Sequence, residues 1–322
     1  MRISEQTLQK EAASTGFRPE VLEKAIHILG LLQGFGSHPY LKGRLALKGG
    51  TALNLFLFEL PRLSVDIDLN YVGSPDRAAM LSERPLVEKA ITAVCGRQGF
   101  TINRVPDEHA GGKWRLRYPS AMGQEGNLEL DLNYMLRVPL WPTVNRDSFP
   151  LGLFSATSIP ILDLHELAAG KLAALLSRNA ARDLFDVHQI LSHGEFDSDK
   201  LRLAFVVYGA MNRKDWRTVS IDDIGFEEGE LENLLVPVLR RERLAGMDRI
   251  STWAGSLVRE CRKELEVVLP LRETEREFLE RLLSHGEILP SLLTSDEEMQ
   301  ARIQNYPGLL WKTINVREFR SK

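Results

Sequence analysis

The chain has 322 residues, of which 43% are hydrophobic and 26% are charged, and its formal net charge is −3. This composition is typical of a soluble globular protein with one large domain or two ordinary ones, and it excludes a disordered, fibrous or disulfide-stapled chain. The near-neutral charge excludes a basic field over the whole molecule, so that a nucleic-acid partner would need a local basic patch.

The expected compartment follows from the cysteines and from the apolar segments. Cys95 and Cys261 lie far apart in the sequence and imply no disulfide framework, so that a reducing cytoplasm is the simplest location. The amino terminus lacks the apolar stretch of a signal peptide, and no apolar run is long enough to span a bilayer. We therefore expect a cytoplasmic protein without a membrane partner.

The first elements predicted along the chain are helical and then α/β. Residues 4–34 are predicted to be helical, because an apolar stripe with helical spacing follows Pro19. Residues 45–47 form a short apolar strand, and a glycine pair separates it from an apolar helical stretch over residues 52–58. Pro61 ends that stretch.

Three later segments alternate between apolar and polar residues, as half-buried strands do. They are residues 65–71, 113–118 and 128–134, and a helix is predicted over residues 83–98. The link at residues 124–127 suits a turn, so that the last two strands are expected to form a hairpin.

The second half of the chain has a different pattern. Residues 139–160 are rich in proline and lack periodicity, and the pattern is helical from about residue 162 onward. We therefore expect an α+β protein with a mixed-sheet domain over residues 1–160 and a mainly helical domain over residues 161–322.

A candidate phosphate loop, Lys48-Gly49-Gly50-Thr51, lies between the short strand and the helix that follows. The two glycines let the backbone approach phosphate oxygens closely, and the beginning of a helix offers free N–H groups. Thr51 could add a hydroxyl donor. A glycine pair alone is more often a plain turn with Thr51 as the helix cap.

Two carboxylates follow on the next predicted strand. Asp66 and Asp68 share one face, because side chains two apart on a strand point the same way. Adjacent carboxylates repel each other, and a Mg²⁺ ion with its preference for hard oxygen ligands would remove that conflict. The alternative is a solvated outer face of an edge strand. A third acid is expected on a neighbouring strand, where Glu129 and Asp131 share a face; we prefer Asp131, although the sequence hardly separates the two.

The helical half contains a further group of charges. Lys171 falls within an otherwise apolar helical stripe, so that it must either extend its ammonium to solvent or meet an anion. Whether it extends to solvent or holds a phosphate, replacing it by methionine is not expected to lower the melting temperature. Asp183 and Asp186 share a helical face. The alternative is an Arg182–Asp186 surface pair with no functional role.

These segments together resemble a known family. Residues 45–55 (LALKGGTALNL) and 62–69 (RLSVDIDL) are similar to the AbiEii/AbiGii group of toxin nucleotidyltransferases, to which the MenT toxins belong. Residues 171–178 (KLAALLSR) and 182–186 (RDLFD) are similar to the second signature of that group. The resemblance implies a polymerase-β-like nucleotidyltransferase fold.

The resemblance also implies roles for individual residues. Gly50 and Thr51 would hold nucleotide phosphate, and Asp66 and Asp68 would bind metal with Asp131 as the third carboxylate. Lys171 would bind the triphosphate and Asp186 would be needed for catalysis, with Asp183 as the alternative acid. Further nucleotide-binding candidates are Lys48, Gly49, Ser64, Arg178 and Arg182.

The implied activity is a Mg²⁺-dependent transfer of a nucleotide from an NTP to RNA. The implied acceptor is the 3′ end of tRNA, where an added nucleotide would block aminoacylation and translation, and the implied partner is an AbiEi-like antitoxin. One rival function is the same transfer to a protein hydroxyl or a small molecule. Another is a non-catalytic binding module of the same fold, against which the intact Asp66, Asp68 and Lys171 argue.

A basic face on the predicted strand over residues 113–118 has no place in these motifs. Lys113, Arg115 and Arg117 share this face, which could take the triphosphate or the acceptor backbone. The equally supported alternative is cross-strand pairing with Glu129 and Asp131.

Overall fold

The computed structural model describes residues 3–106, 108, 110–245 and 249–320. The chain divides into two compact units, of which the first comprises Met1–Leu162 and Val236–Gly246 and the second comprises Asp163–Leu235 and Met247–Lys322. The second segment of the first unit has no counterpart in the domains predicted from the sequence. It contributes an isolated bridge between Arg62 and Leu239.

In the described part of the first unit, seven strands form one mixed sheet in the order β3-β4-β5-β2-β1-β7-β6. The strands are β1 (Leu45–Lys48), β2 (Asp66–Tyr71), β3 (Thr101–Arg104), β4 (Gly111–Pro119), β5 (Glu125–Asn133), β6 (Val144–Arg146) and β7 (Ile159–Ile161). The helices are α1 (Glu5–Thr15), α2 (Pro19–Ser37), α3 (Gly49–Ala52), α4 (Arg77–Arg97) and, from the second segment, α9 (Arg241–Leu244). A π-helical segment, Leu53–Leu57, continues α3.

The alternation of β2 and β5 separates an apolar face of the sheet from a polar one. Ile67 and Leu130 are fully buried, whereas Asp66 and Asp68 are half-buried. The sheet is covered by helices, since α2 contacts α4, β5 and β7. The apolar face therefore builds the core, and the opposite face is left for polar side chains.

The predicted hairpin is confirmed, because β4 and β5 pair antiparallel along their whole length. The position of its turn was wrong: Pro119 pairs with Glu125, and the turn spans residues 120–124. The Ser120 N–H donates to the Gln124 carbonyl at 2.9 Å and closes that turn. Gly126 and Asn127 therefore belong to β5 instead of the turn.

Strands β3, β6 and β7 were not predicted from the sequence. Each has only three or four residues, too few for an alternation to stand out. Strand β6 and the first two residues of β7 fall within the proline-rich region 139–160, and Pro160 lies inside β7 opposite Asn145. The chain is thus paired in a region whose composition suggested an irregular linker.

The second unit is helical. Its helices are α5 (Leu164–Arg178), α6 (Ala181–His193), α7 (Ser198–Ala210), α8 (Glu228–Glu230), α10 (Ile250–Glu264), α11 (Glu273–Glu280), α12 (Glu297–Gln304) and α13 (Pro307–Arg320). Asp163 caps α5 by accepting from the His165 N–H, and α5 packs on both α6 and α7. Among the described residues, no helix is long and apolar enough to cross a membrane.

We predict that Leu130→Ala destabilises the chain by about 2–5 kcal/mol, because it opens a cavity in the centre of the core. Val144→Ala on the edge strand is the control, since Val144 is 41% exposed and a surface change should stay within about 0.5 kcal/mol. Urea unfolding measures both. Equal unfolding midpoints for the two variants would contradict a core centred on β5.

Candidate active site

The candidate phosphate loop packs directly against a carboxylate of β2. Gly49 has a φ of +70°, and a Cβ atom at this position would lie 2.2 Å from Oδ2 of Asp68. A side chain is therefore excluded both by the backbone conformation and by the space. The loop backbone and the Asp68 carboxylate are neighbours because residue 49 is glycine.

Thr51 ties the phosphate loop to β2. Its hydroxyl donates to the main-chain carbonyl of Asp66, and its side chain is fully buried. The hydroxyl thus has a partner within the protein. The sequence had led us to expect that it would donate to a phosphate or cap the helix. Asn54 secures the loop from the other side by donating from Nδ2 to the Gly50 carbonyl at 2.8 Å.

The strand register brings the predicted acids to one face of the sheet. Parallel pairing of β2 with β5 places Asp66 beside Glu129 and Asp68 beside Asp131. Neighbouring strands lie about 4.8 Å apart, and paired residues point to the same side. On the other side of β2, Lys48 is the register partner of Asp68, so that a cation accompanies the acids.

Asp131 has an altered proton affinity. Burial raises the pKa of its carboxyl, and the neighbouring charges of Asp68 and Glu129 raise it further, against the opposing effect of Lys48 and Lys113. An aspartate with a raised pKa accepts a proton more readily than an exposed one. The raised pKa distinguishes Asp131 from Glu129, whose pKa is lowered.

Glu129, the alternative third acid, is engaged elsewhere. Its Oε2 lies 2.8 Å from Nζ of Lys113 and its Oε1 lies 3.8 Å from Nε of Arg115. The hydrogen bond from Lys113 is the main cause that lowers the pKa of Glu129. The cross-strand pairing expected as an alternative for the basic face thus exists for Lys113. Geometry favours Asp131 over Glu129 as the partner of Asp68.

The segment before β2 is held from within the first unit. Ser64 is buried there, and the Leu63 N–H donates to the Val238 carbonyl at 2.9 Å. Nη1 of the buried Arg62 donates to the Leu63 carbonyl at 2.9 Å. The contacts of this segment with Val238 and its neighbours were not predicted from the sequence, because these residues are remote from the segment along the chain.

A buried ion cluster joins α5 and α6 in the second unit. Nζ of Lys171 lies 2.9 Å from Oδ1 of Asp183 and 2.7 Å from Oδ2 of Asp186, and both acids are buried. Lys171 therefore meets anions. Asp186 is buried and contacts Lys171, so that it does not lie on the solvated surface that the alternative reading expected. Arg182 is half-buried on the same helix.

Arg178 completes the cluster at the surface. Its Nη2 lies 2.6 Å from Oδ2 of Asp183, and its side chain is 65% exposed. Burial by itself raises the pKa of Asp183, but the charges of Lys171 and Arg178 outweigh it and hold the pKa below the ordinary value. Asp183 is consequently charged at neutral pH and binds two cations.

Among the described residues, these sites include no preformed cluster of metal ligands. Among the residues that the structure describes, no group of three or more His, Cys, Asp and Glu side chains has the arrangement of a metal centre. Mg²⁺ in phosphoryl-transfer sites commonly takes one or two carboxylates, and substrate phosphates and water supply the other ligands. The carboxylates of β2 have the donor chemistry that such an ion requires.

Gly49→Ala should abolish the expected nucleotide transfer, because the added Cβ displaces the Asp68 carboxylate. Gly43→Ala is the matched control: Gly43 has a φ of +76° but nothing within 4 Å of its Cβ position. Both variants carry a similar backbone strain of about 1–2 kcal/mol. Melting temperature and transfer rate are measured for both, and equal rates would contradict a catalytic contact between the loop and Asp68.

Lys171→Met should destabilise the chain by about 3–5 kcal/mol, because it removes a cation that contacts two buried carboxylates, Asp183 and Asp186. This prediction reverses the sequence-based expectation of an unchanged melting temperature. Arg178→Gln is the control and should cost at most about 1 kcal/mol, since Arg178 is largely exposed. The double variant Lys171→Met/Asp186→Leu should recover most of the loss. Urea unfolding measures the stability of all three variants. An unchanged unfolding midpoint for Lys171→Met would contradict a stabilising role of the ion cluster.

The chain is similar to a known protein family and to solved structures. Residues 30–308 match the family model described as the nucleotidyl transferase AbiEii toxin of type IV toxin–antitoxin systems. A similar solved structure is MenT4, a nucleotidyltransferase toxin from Mycobacterium tuberculosis, with a TM-score of 0.58 and 18% sequence identity. The match covers 96% of this chain and 99% of that chain, and at this identity it shows the fold alone.

No curated protein sequence matches the chain significantly. The predicted α+β nucleotidyltransferase fold is confirmed by the mixed sheet and by the likeness to MenT4. The family resemblance of the two signatures is confirmed by a match that spans most of the chain. The chain belongs to the AbiEii family of nucleotidyltransferase toxins from type IV toxin–antitoxin systems.

Proposed function

We propose that the chain transfers a nucleotide from an NTP to a hydroxyl at the 3′ end of tRNA, and thereby blocks aminoacylation and translation. Family membership supports nucleotidyl transfer, and the family resemblance supports tRNA as the acceptor. The observation that carries the location of the site is the shared face of Asp66, Asp68 and Asp131 beside the phosphate loop.

The phosphate loop receives the triphosphate in this proposal. Lys48 supplies a positive charge at the end of β1, next to Asp68 in the register. The absence of a side chain at Gly49 leaves its backbone accessible to a close partner. Gly50 and Thr51 contribute through their main chain, because the Thr51 hydroxyl is already bonded to Asp66. Ser64 is assigned to the same nucleotide-binding group by the family resemblance.

The proposed cofactor is a divalent metal ion, specifically Mg²⁺. Asp66 and Asp68 would hold it, and Asp131 would be the third carboxylate near it. Two like charges on one face are otherwise unfavourable, which is the physical reason for expecting a cation there. When bound, the ion would polarise the phosphates and stabilise the charge that develops on the leaving group.

Asp131 acts as the base. Its register position beside Asp68 would place the carboxylate to take the proton from the acceptor hydroxyl. The hydroxyl oxygen then forms a bond to the α-phosphorus of the NTP, and the bond from that phosphorus to the pyrophosphate oxygen breaks. Pyrophosphate leaves with its negative charge, which Lys48 and the loop backbone help to neutralise.

The ion cluster of the second unit has a proposed part that rests on the family resemblance. Lys171 is assigned to the triphosphate, with Arg178 and Arg182 as further phosphate contacts. Asp186 is the acid needed for catalysis, and its contact with the Lys171 ammonium at 2.7 Å gives it a positioning role. Asp183 is the alternative, since it contacts the same ammonium at 2.9 Å.

Two further proposals concern the setting of the reaction. The type IV toxin–antitoxin family supports an antitoxin partner, which we propose to be AbiEi-like. Cys95 and Cys261 are both free and buried, which supports a reducing cytoplasm.

The rival acceptors are a protein hydroxyl and a small molecule. Incubation of the purified chain with each labelled NTP and with total RNA separates these acceptors by the labelled product.

Asp68→Asn should lower transfer by about a hundredfold or more, because it removes several kcal/mol of charge stabilisation, and each 1.4 kcal/mol is about tenfold in rate. The exposed Asp222 provides the matched control Asp222→Asn, which should keep the full rate. Both variants should melt like the wild type, and EDTA should stop wild-type transfer. Full transfer by Asp68→Asn would refute the assigned site.

A further inference from the structure

A groove of about 670 Å³ borders the carboxylates of the sheet face. It lies wholly in the first unit, and we call it the β4 groove. Its polar lining consists of the cations Lys24, Arg104, Arg115 and Arg117, the amides Asn103 and Asn127, and the acids Asp66 and Glu129. The buried Leu116 and Leu128 form part of its base. Cationic and amide groups thus outnumber the two acids in this lining, and Asp66 connects the groove to the acidic strand β2.

The cations of the β4 groove are only loosely held by acids. Arg117 pairs with Glu125 at 3.0 Å and Arg104 with Glu108 at 3.3 Å, and all four side chains are at least half exposed. The Nε of Arg115 is 3.8 Å from Glu129, and its side chain is 65% exposed. Exposed pairs of this kind contribute about 0–1 kcal/mol each. A phosphate group can therefore replace such a carboxylate at little cost.

The strand order places this groove on the opposite side of the carboxylates from the phosphate loop. The order β3-β4-β5-β2-β1 puts Lys48 and Gly49 on the β1 side. Arg115 and Arg117 lie two strands from β2 in the other direction, at about 10 Å, and Arg104 lies one strand further. Two substrates can thus approach the carboxylates from opposite sides. The row of cations is also longer than a single phosphate needs.

We infer that the β4 groove binds the sugar-phosphate backbone of the acceptor strand, leading its 3′ hydroxyl to Asp131 from the β4 side. This inference rests on the proposed function and deepens it. Phosphates on the backbone are recognised by charge, and Lys24, Arg115 and Arg117 supply that charge. Asn103 can hydrogen-bond a ribose 2′ hydroxyl, the group by which a protein recognises RNA.

A nucleic acid fits the groove better than a protein acceptor does. A protein substrate generally needs apolar contacts at the centre of its interface. Of the apolar lining residues here, Leu116 and Leu128 are almost fully buried and Val65 is half-buried. Lys24 also extends from α2 to donate to Oδ1 of Asn127 at 3.1 Å. This contact brings a cation from another element to the rim of the same groove. The sequence did not identify Lys24, because its helix is distant along the chain.

The test is the double variant Arg115→Gln/Arg117→Gln with Arg146→Gln as the control. Arg146 is exposed on the far edge strand β6. The KM for RNA and the RNA Kd from fluorescence anisotropy should rise at least about tenfold in the double variant. The salt dependence of the Kd should lose a slope of about 0.7 for each phosphate contact removed. The KM for NTP and kcat at saturating RNA should not change.

Two results would overturn the inference while leaving the proposed function intact. One is an unchanged RNA Kd in the double variant, and the other is a raised KM for NTP, which would assign the groove to the triphosphate. Failure of the wild type to label RNA, with labelling of protein instead, would refute the proposed function itself. Arg115→Lys/Arg117→Lys guards against misfolding, since it keeps the charge and should retain most of the RNA affinity.

Discussion

The parallel register of β2 with β5 is the constraint on which the candidate site depends. It brings Asp68 beside Asp131, and the repulsion between their charges contributes to the raised pKa of Asp131. Such crowding of like charges opposes folding. It is tolerated because the same two strands bury Ile67 and Leu130 completely on their opposite face, and because Lys48 adds a positive charge from β1. The alternation of each strand thus supplies stability on one face and chemistry on the other.

The parts predictable from the sequence are those determined by local patterns. The acidic strand, the hairpin and the helical second half followed from periodicity, and the family from short motifs. Register was beyond such reasoning, because the pairing partner of a strand is remote in the chain. Glu129 and Asp131 are equivalent in the sequence and differ only once β4 brings Lys113 to Glu129. Short strands such as β7, which contains Pro160, have too few residues to show a pattern.

Lys171 illustrates a different limit. Its place in an apolar stripe indicated an unusual lysine, and the spacing of Asp183 and Asp186 indicated a shared face. Neither pattern predicts that α5 packs against α6. This packing buries both acids and brings them to the Lys171 ammonium. Because two buried carboxylates surround the Lys171 ammonium, its removal is expected to lower the stability of the fold. A loss of activity on changing Lys171 must accordingly be compared with a loss of stability.

In both units, cations are paired with acids. This pairing affects how strongly a protein with almost no net charge can attract phosphates. Lys113 is paired with Glu129, and Lys171 with Asp183 and Asp186. A paired cation adds little to long-range attraction, so that nonspecific binding to nucleic acid stays weak at a net charge of −3. Such a cation attracts a phosphate strongly only at short range. There the phosphate must share the cation with the carboxylate or displace the carboxylate. Selectivity for a correctly placed substrate then follows from the pairing itself, because a poorly placed phosphate leaves the original ion pair intact.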